Sequence, residues 1–194
     1  MFRLKEILIK KLSFWQAEIN MLKKENELKA LMSIENVHFN KPFRIGDDSI
    51  FSLEGPINEL SIGSNFYCKR GCNFLMFPKA ILKVGNNVFF NNYCSITCLE
   101  KIEIGENTIF GEAVKIYDHN HHFEFKPELQ IARNDFTTSP VIIGKNCWIA
   151  SNVTILKGVQ IGDNTIIGAN CLIYKSIPSN SIVKHKEDLA VITK

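Results

Sequence analysis

The chain has 194 residues, 45% of them hydrophobic and 22% charged, with a formal net charge of +3. So apolar a chain with so little net charge is not disordered, and its length suits one ordinary domain with a small appendage. The balance of 23 Lys and Arg against 20 Asp and Glu predicts no nucleic-acid partner, six cysteines without an export signal predict thiols in a reducing cytoplasm, and no segment is apolar enough to span a bilayer.

Residues 1–40 are predicted to be an amphipathic helical segment of one or two helices. Leu4, Ile7, Leu8, Leu12, Trp15, Ile19 and Leu22 recur at helical spacing among Lys and Glu. The segment is expected to cap the domain that follows or to contact a neighbouring subunit, with membrane contact peripheral at most. Arg3, Lys5, Glu6, Lys10 and Lys11 spoil it as a signal peptide.

Residues 41–183 carry a repeat of six. Apolar residues fall in triplets: Ile45, Phe51, Ile57; Ile62, Cys68, Phe74; Val84, Phe90, Ile96; Ile104, Phe110, Ile116. From Ile143 the series runs without a miss through Ile149, Ile155, Ile161, Ile167 and Ile173. A period of six is not a helical 3.6, but it fits short strands each followed by a turn. Asn and Gly supply the turns because they tolerate left-handed backbone angles. Three hexads close a triangular coil, and stacked coils bury a continuous apolar column that one coil alone does not. Cys94, Cys147 and Cys171 hold the small-residue slot of their hexads and Cys68 an inward slot, so they read as interior hydrophobes rather than nucleophiles or a zinc ribbon.

The series breaks once. Residues 118–142 leave the column as a long loop, the kind of excursion from a repeat that usually carries function. Pro178 and Ser179 end the column, and 184–194 form a tail. The fold class expected is therefore all-β: a parallel β-helix with an N-terminal helical segment and one long loop.

The densest chemistry opens that loop: Tyr117-Asp118-His119-Asn120-His121-His122. An imidazole titrates near neutrality and suits a general base. Asp118, Glu124 or a backbone carbonyl is available to orient it. Zinc needs three or four convergent ligands, which His-x-His-His alone does not supply, so no metal is expected.

The stretch from Val84 to Val183 resembles the hexapeptide-repeat acyltransferases, which fold as left-handed β-helices. Its carriers are Ile143-Gly144-Lys145-Asn146-Cys147-Trp148-Ile149, Gly158-Val159-Gln160-Ile161-Gly162-Asp163-Asn164, and Ile167-Gly168-Ala169 with Lys175-Ser176-Ile177-Pro178. Within that group it is most similar to sugar and polysaccharide O-acetyltransferases, which carry a histidine-bearing loop just before the Gly-x-Asn-x-Trp-Ile coil. The resemblance implies a cytoplasmic enzyme moving acetyl from acetyl-CoA directly to a hydroxyl of a sugar or glycan precursor, without metal. It implies a homotrimer with the site between subunits.

By the same resemblance His121 is the favoured base, at the last position of the hexad begun by Ile116, with His119 the competitor. Asn91, Trp148 and Asp118 fall at acceptor positions. Ser151, Ala169, Tyr174 and Lys175 match positions that flank CoA. Relatives commonly end in a Gly-x-Pro segment, replaced here by Lys184-His185-Lys186-Glu187-Asp188-Leu189. The alternatives are N-acetylation of an amino sugar or antibiotic on the same fold, and a non-catalytic scaffold.

Overall fold

Three parallel sheets of six, seven and six strands make the faces of a triangular column, and a two-stranded sheet stands apart from them. The computed structural model describes residues 2–186; within the N-terminal helix the side chains at 2–4, 7–9, 16, 17 and 20 lie outside that description, Leu4, Ile7 and Leu8 among them. Glu187, Asp188, Leu189 and the rest of the expected tail also lie outside it. By backbone contact the chain falls into two compact units, Met1–Val37 and His38–Lys194. The first is essentially one helix, Phe2–Met32. The second is the left-handed parallel β-helix that the repeat predicts.

The repeat works as register. On the first face Ile62, Val84, Ile104, Ile143 and Ile161 stack in line, each paired in parallel with the next rung. On the second, Cys68, Phe90, Phe110, Ile149 and Ile167 do the same. On the third the line is Phe74, Ile96, Ile116, Ile155 and Ile173. All fifteen side chains are buried. Phenylalanines fill the lower rungs, where Phe51 stacks on Phe74 at 4.4 Å and Phe90 on Phe110 at 4.3 Å.

Two parts of the sequence reading are corrected. The column does not end at Pro178 and Ser179: Ile182–Val183 adds a last second-face strand, paired in parallel with Ile166 and Ile167. Ile45 pairs with Cys68 and Phe51 with Phe74, so they belong to the second and third faces, not to the first and second. The column therefore opens a strand earlier, at Val37–Phe39. The misphasing has a physical source at one corner. The step from the third face to the first is not fixed at six residues: Ile62 follows Phe51 by eleven, Val84 follows Phe74 by ten, and Ile104 follows Ile96 by eight. Every insertion leaves at this corner, and the long excursion after Ile116 is the largest.

Turn chemistry pins the opposite geometry. Asn65, Asn87, Asn107, Asn146, Asn164 and Asn180 all adopt left-handed φ between 56° and 60° at one corner. Their side-chain amides form a ladder, each donating to the carbonyl oxygen of the next at 2.9–3.1 Å. The glycine after each first-face residue is there for space: a Cβ on Gly105 would lie 2.5 Å from the backbone N of Lys145.

Candidate active site

The excursion is an antiparallel hairpin of His119–Phe125 and Leu129–Thr138. Its base closes where the Ser139 amide donates to the Asp118 carbonyl at 2.9 Å. The chain thus turns out of the column at Asp118, two residues after the buried Ile116.

Asp118 is fully buried. Its carboxylate accepts backbone amides from the corner one rung below: Leu99 at 2.9 Å, Glu100 at 2.7 Å and Lys101 at 2.8 Å. Such charge-assisted bonds fix a carboxylate firmly. Oδ1 also lies 3.4 Å from Nδ1 of His119. The His119 side chain is only 15% exposed. Its ring stands edge-on to Tyr117 at 5.9 Å and to Phe136 at 5.5 Å. Phe136 in turn packs against Phe77 from a lower rung of the same corner. One nitrogen of His119 is thereby held by a carboxylate and the ring is clamped by aromatics, which leaves Nε2 for a substrate.

His121 sits differently. It lies within the outgoing hairpin strand, opposite Phe136, and not at a coil corner, because the column is left at Asp118 and the hexad is never completed. Its ring is exposed, with Nδ1 3.1 Å from the Ala132 carbonyl oxygen and its face 4.8 Å from Phe136. His122 is exposed on the same strand. Glu124 pairs with Lys126 at 2.9 Å near the hairpin tip and reaches no histidine. Among the described residues no three His, Cys, Asp or Glu converge as metal ligands do.

The remaining candidates divide between two corners. Tyr174 and Lys175 follow a third-face strand, as His119 does, two rungs further on, or about 10 Å along the column at ~4.8 Å per strand. Both are exposed, and the Lys175 ammonium lies 5.5 Å from the Tyr174 ring centroid. Asn91, Ser151 and Ala169 instead follow second-face strands, at the other edge of the third face. A four-residue strand such as Ser95–Cys98 separates those edges by about 13 Å. There Asn91 Oδ1 accepts the Asn92 amide at 2.9 Å, and Ser151 Oγ accepts the Glu112 amide at 3.2 Å. Trp148 projects outward from the second face, half exposed.

Sequence reasoning missed Phe77, Phe136 and Lys157. The Lys157 ammonium donates to Thr137 Oγ1 at 2.6 Å and to its carbonyl at 3.3 Å, bracing the hairpin against the column. Phe77 beside Pro78, inside a corner insertion, was the one available signal. All six cysteines are buried, and burial, then the Asp118 carboxylate, pushes the Cys98 thiol far up.

Residues 140–175 match the model of the bacterial transferase hexapeptide family, described as six repeats. The Escherichia coli K12 protein WbbJ, assigned by name to lipopolysaccharide biosynthesis O-acetyl transfer, is 33% identical over 137 residues, covering 67% of this chain and 68% of that one. The chain belongs to the hexapeptide-repeat acetyltransferases.

Membership makes it an acyltransferase. Other relatives include the galactoside O-acetyltransferase of E. coli K12, 32% identical over 103 residues, 52% of this chain and 48% of that one. A hexapeptide-repeat acetyltransferase from Vibrio cholerae, solved with acetyl coenzyme A, has the same fold at TM-score 0.52 and 20% identity, covering 86% of this chain and 75% of that one. A mutant of AntD, an N-acyltransferase from Bacillus cereus solved with an amino-sugar nucleotide and coenzyme A, matches at TM-score 0.53 and 18% identity, over 74% and 79%. Among the described residues no helix is long and apolar enough to cross a membrane.

Proposed function

We propose that this acetyltransferase moves acetyl from acetyl-CoA to a hydroxyl of a sugar or glycan precursor, with His119 as general base. The observation that carries the choice of base is the buried Asp118 carboxylate beside His119 Nδ1. A base must be held within hydrogen-bond reach of its proton, and a rigid support serves that better than an open strand. His121 has a backbone carbonyl for a partner but no comparable shelter.

In this reading Nε2 takes the proton of the acceptor hydroxyl as its oxygen attacks the thioester carbonyl. The carbonyl becomes a tetrahedral oxyanion, stabilised by an amide near the hairpin base. Collapse breaks the carbon–sulfur bond, and the imidazolium returns its proton to the departing thiolate. The Asp118 carboxylate holds the ring in place throughout. Lys175 offers a cation to a CoA phosphate, and Tyr174 a flat surface beside it.

The assembly proposed is a homotrimer with the site between copies. Tyr67, Phe89, Ile109, Trp148, Ile166 and Ile182 stand in register on the outside of the second face, an apolar stripe along nearly the whole column. The first face shows Ser61, Lys83, Glu103, Ile142 and Gln160 along the corresponding line, one apolar residue among four polar ones. An apolar stripe of that length is what a stable interface uses. Closing it against another copy gives Asn91, Trp148, Ser151 and Ala169 a route to the histidine of a neighbour. The enzyme is expected to act in the cytoplasm, where acetyl-CoA is made.

The test is direct. The protein is incubated with acetyl-CoA and a panel of hexoses, amino sugars and oligosaccharides, and free thiol is followed. Acceptor-dependent thiol release with a product cleaved by mild base is an ester and supports the reading. A base-stable product is an amide and replaces it with N-acetylation. No acceptor-dependent release across the panel argues against both.

A further inference from the structure

The N-terminal helix carries a second pattern that the acetyl-transfer reading leaves unused. Leu8, Leu12, Trp15, Ile19 and Leu22 are spaced by four, three, four and three residues, the a/d alternation of a heptad repeat. At 3.6 residues per turn Leu12, Trp15, Ile19 and Leu22 fall within an arc of about 80° on one face. The helix is continuous from Phe2 to Met32, long enough for three heptads and more. The side chains of Leu12, Trp15, Ile19 and Leu22 are 55–67% exposed. Phe14 and Met21 are exposed too, roughly a quarter turn off this seam.

The flanks of the seam identify what covers it. Heptad numbering with Leu12 and Ile19 at a puts Glu18 at g and Lys23 at the following e. In a parallel coiled coil a g residue meets the e residue five places on in its partner, so Glu18 of one helix faces Lys23 of the next with opposite charge. The apolar seam ends at Leu22: the next a is the exposed Asn26, a polar residue of the kind that fixes register in parallel pairs, and the next d is the exposed Lys29. Within its own helix Lys23 lies 3.9 Å from Glu27, with both side chains largely exposed.

We infer that the helix Phe2–Met32 is an assembly element, forming a parallel coiled coil with the same helix of other copies of this chain through the Leu12–Trp15–Ile19–Leu22 seam. The partner is a second copy because the apolar spacing and the Glu18–Lys23 pair are self-complementary when the helices run parallel. The inference does not depend on acetyl transfer, and its test reads no activity.

The experiment introduces single cysteines into the full chain, whose own six thiols are buried, and applies a mild oxidant. Leu22→Cys, at a d position, is expected to become disulfide-linked in most molecules. Ser13→Cys, on the same helix but off the seam, is expected to stay at the wild-type level. In the Leu22→Cys background, Lys23→Glu should lower the linked fraction roughly twofold, the size an exposed ion pair supports, and adding Glu18→Lys should restore it. Equal linking at positions 13 and 22 overturns the coiled coil. So does a Trp15 emission shift seen in Trp148→Phe protein only with anionic phospholipid vesicles, which would assign the face to a membrane surface.

Discussion

The column and the hairpin are built from strands of the same chain on opposite terms. In the column the middle strands alternate buried and half-buried residues, and each inner rung is hydrogen-bonded on both sides by its neighbours. In the hairpin nearly every side chain is exposed, Phe123, Phe125, Leu129 and Ile131 included. The column is stable because each turn completes its neighbour's core. The hairpin is ordered at its base by three attachments: the Asp118 carboxylate, the Phe77–Phe136 contact and the Lys157–Thr137 bond. The candidate base stands where the two regimes meet, with the rigidity of the first and the access of the second.

Substitutions separate the two regions, and the deepest cut is in the column. Phe110→Ala removes a buried ring stacked on Phe90, and urea unfolding should show a loss of about 3–5 kcal/mol. Asp118→Ala strikes the junction. It leaves the amides of Leu99, Glu100 and Lys101 without their acceptor, so stability should fall by about 1–3 kcal/mol, with turnover falling as well. Asn107→Ala, on the amide ladder, should cost about 1–2 kcal/mol for its left-handed φ of 58°. Asn107→Gly should recover most of that, and a melting series of the two checks it. At the hairpin tip Phe123→Ala should shift stability by less than about 0.5 kcal/mol. A large destabilisation there would mean that the hairpin is part of the folding core, and the contrast between the regions would fail.

The same contrast explains what was legible in the sequence. From Ile143 to Ile173 the hexads are uninterrupted, and every isoleucine named there is buried in its expected line. Ile45 and Phe51 were misphased because corner insertions such as that around Gly55 and Pro56 change the count without changing the composition. The hairpin has no inward face and so no periodicity. His121 was consequently placed by counting hexads past the point where the column is abandoned. Asp118 was visible as a partner for histidine, but not as the acceptor of three amides one rung below, since those donors lie 17–19 residues earlier. Nothing in the sequence links Lys157 to Thr137, because only the turn back into the column brings them together.

The central claim is that the junction, not the open strand, holds the base. Steady-state turnover of His119→Ala and His121→Ala with acetyl-CoA and an accepted sugar, each variant first shown to keep the oligomeric state and acetyl-CoA affinity of the parent, tests it most directly. The account predicts that His119→Ala loses roughly 10²–10⁴-fold in turnover, the range for a missing general base, while His121→Ala loses far less. The reverse ranking, or full activity in both, would contradict it.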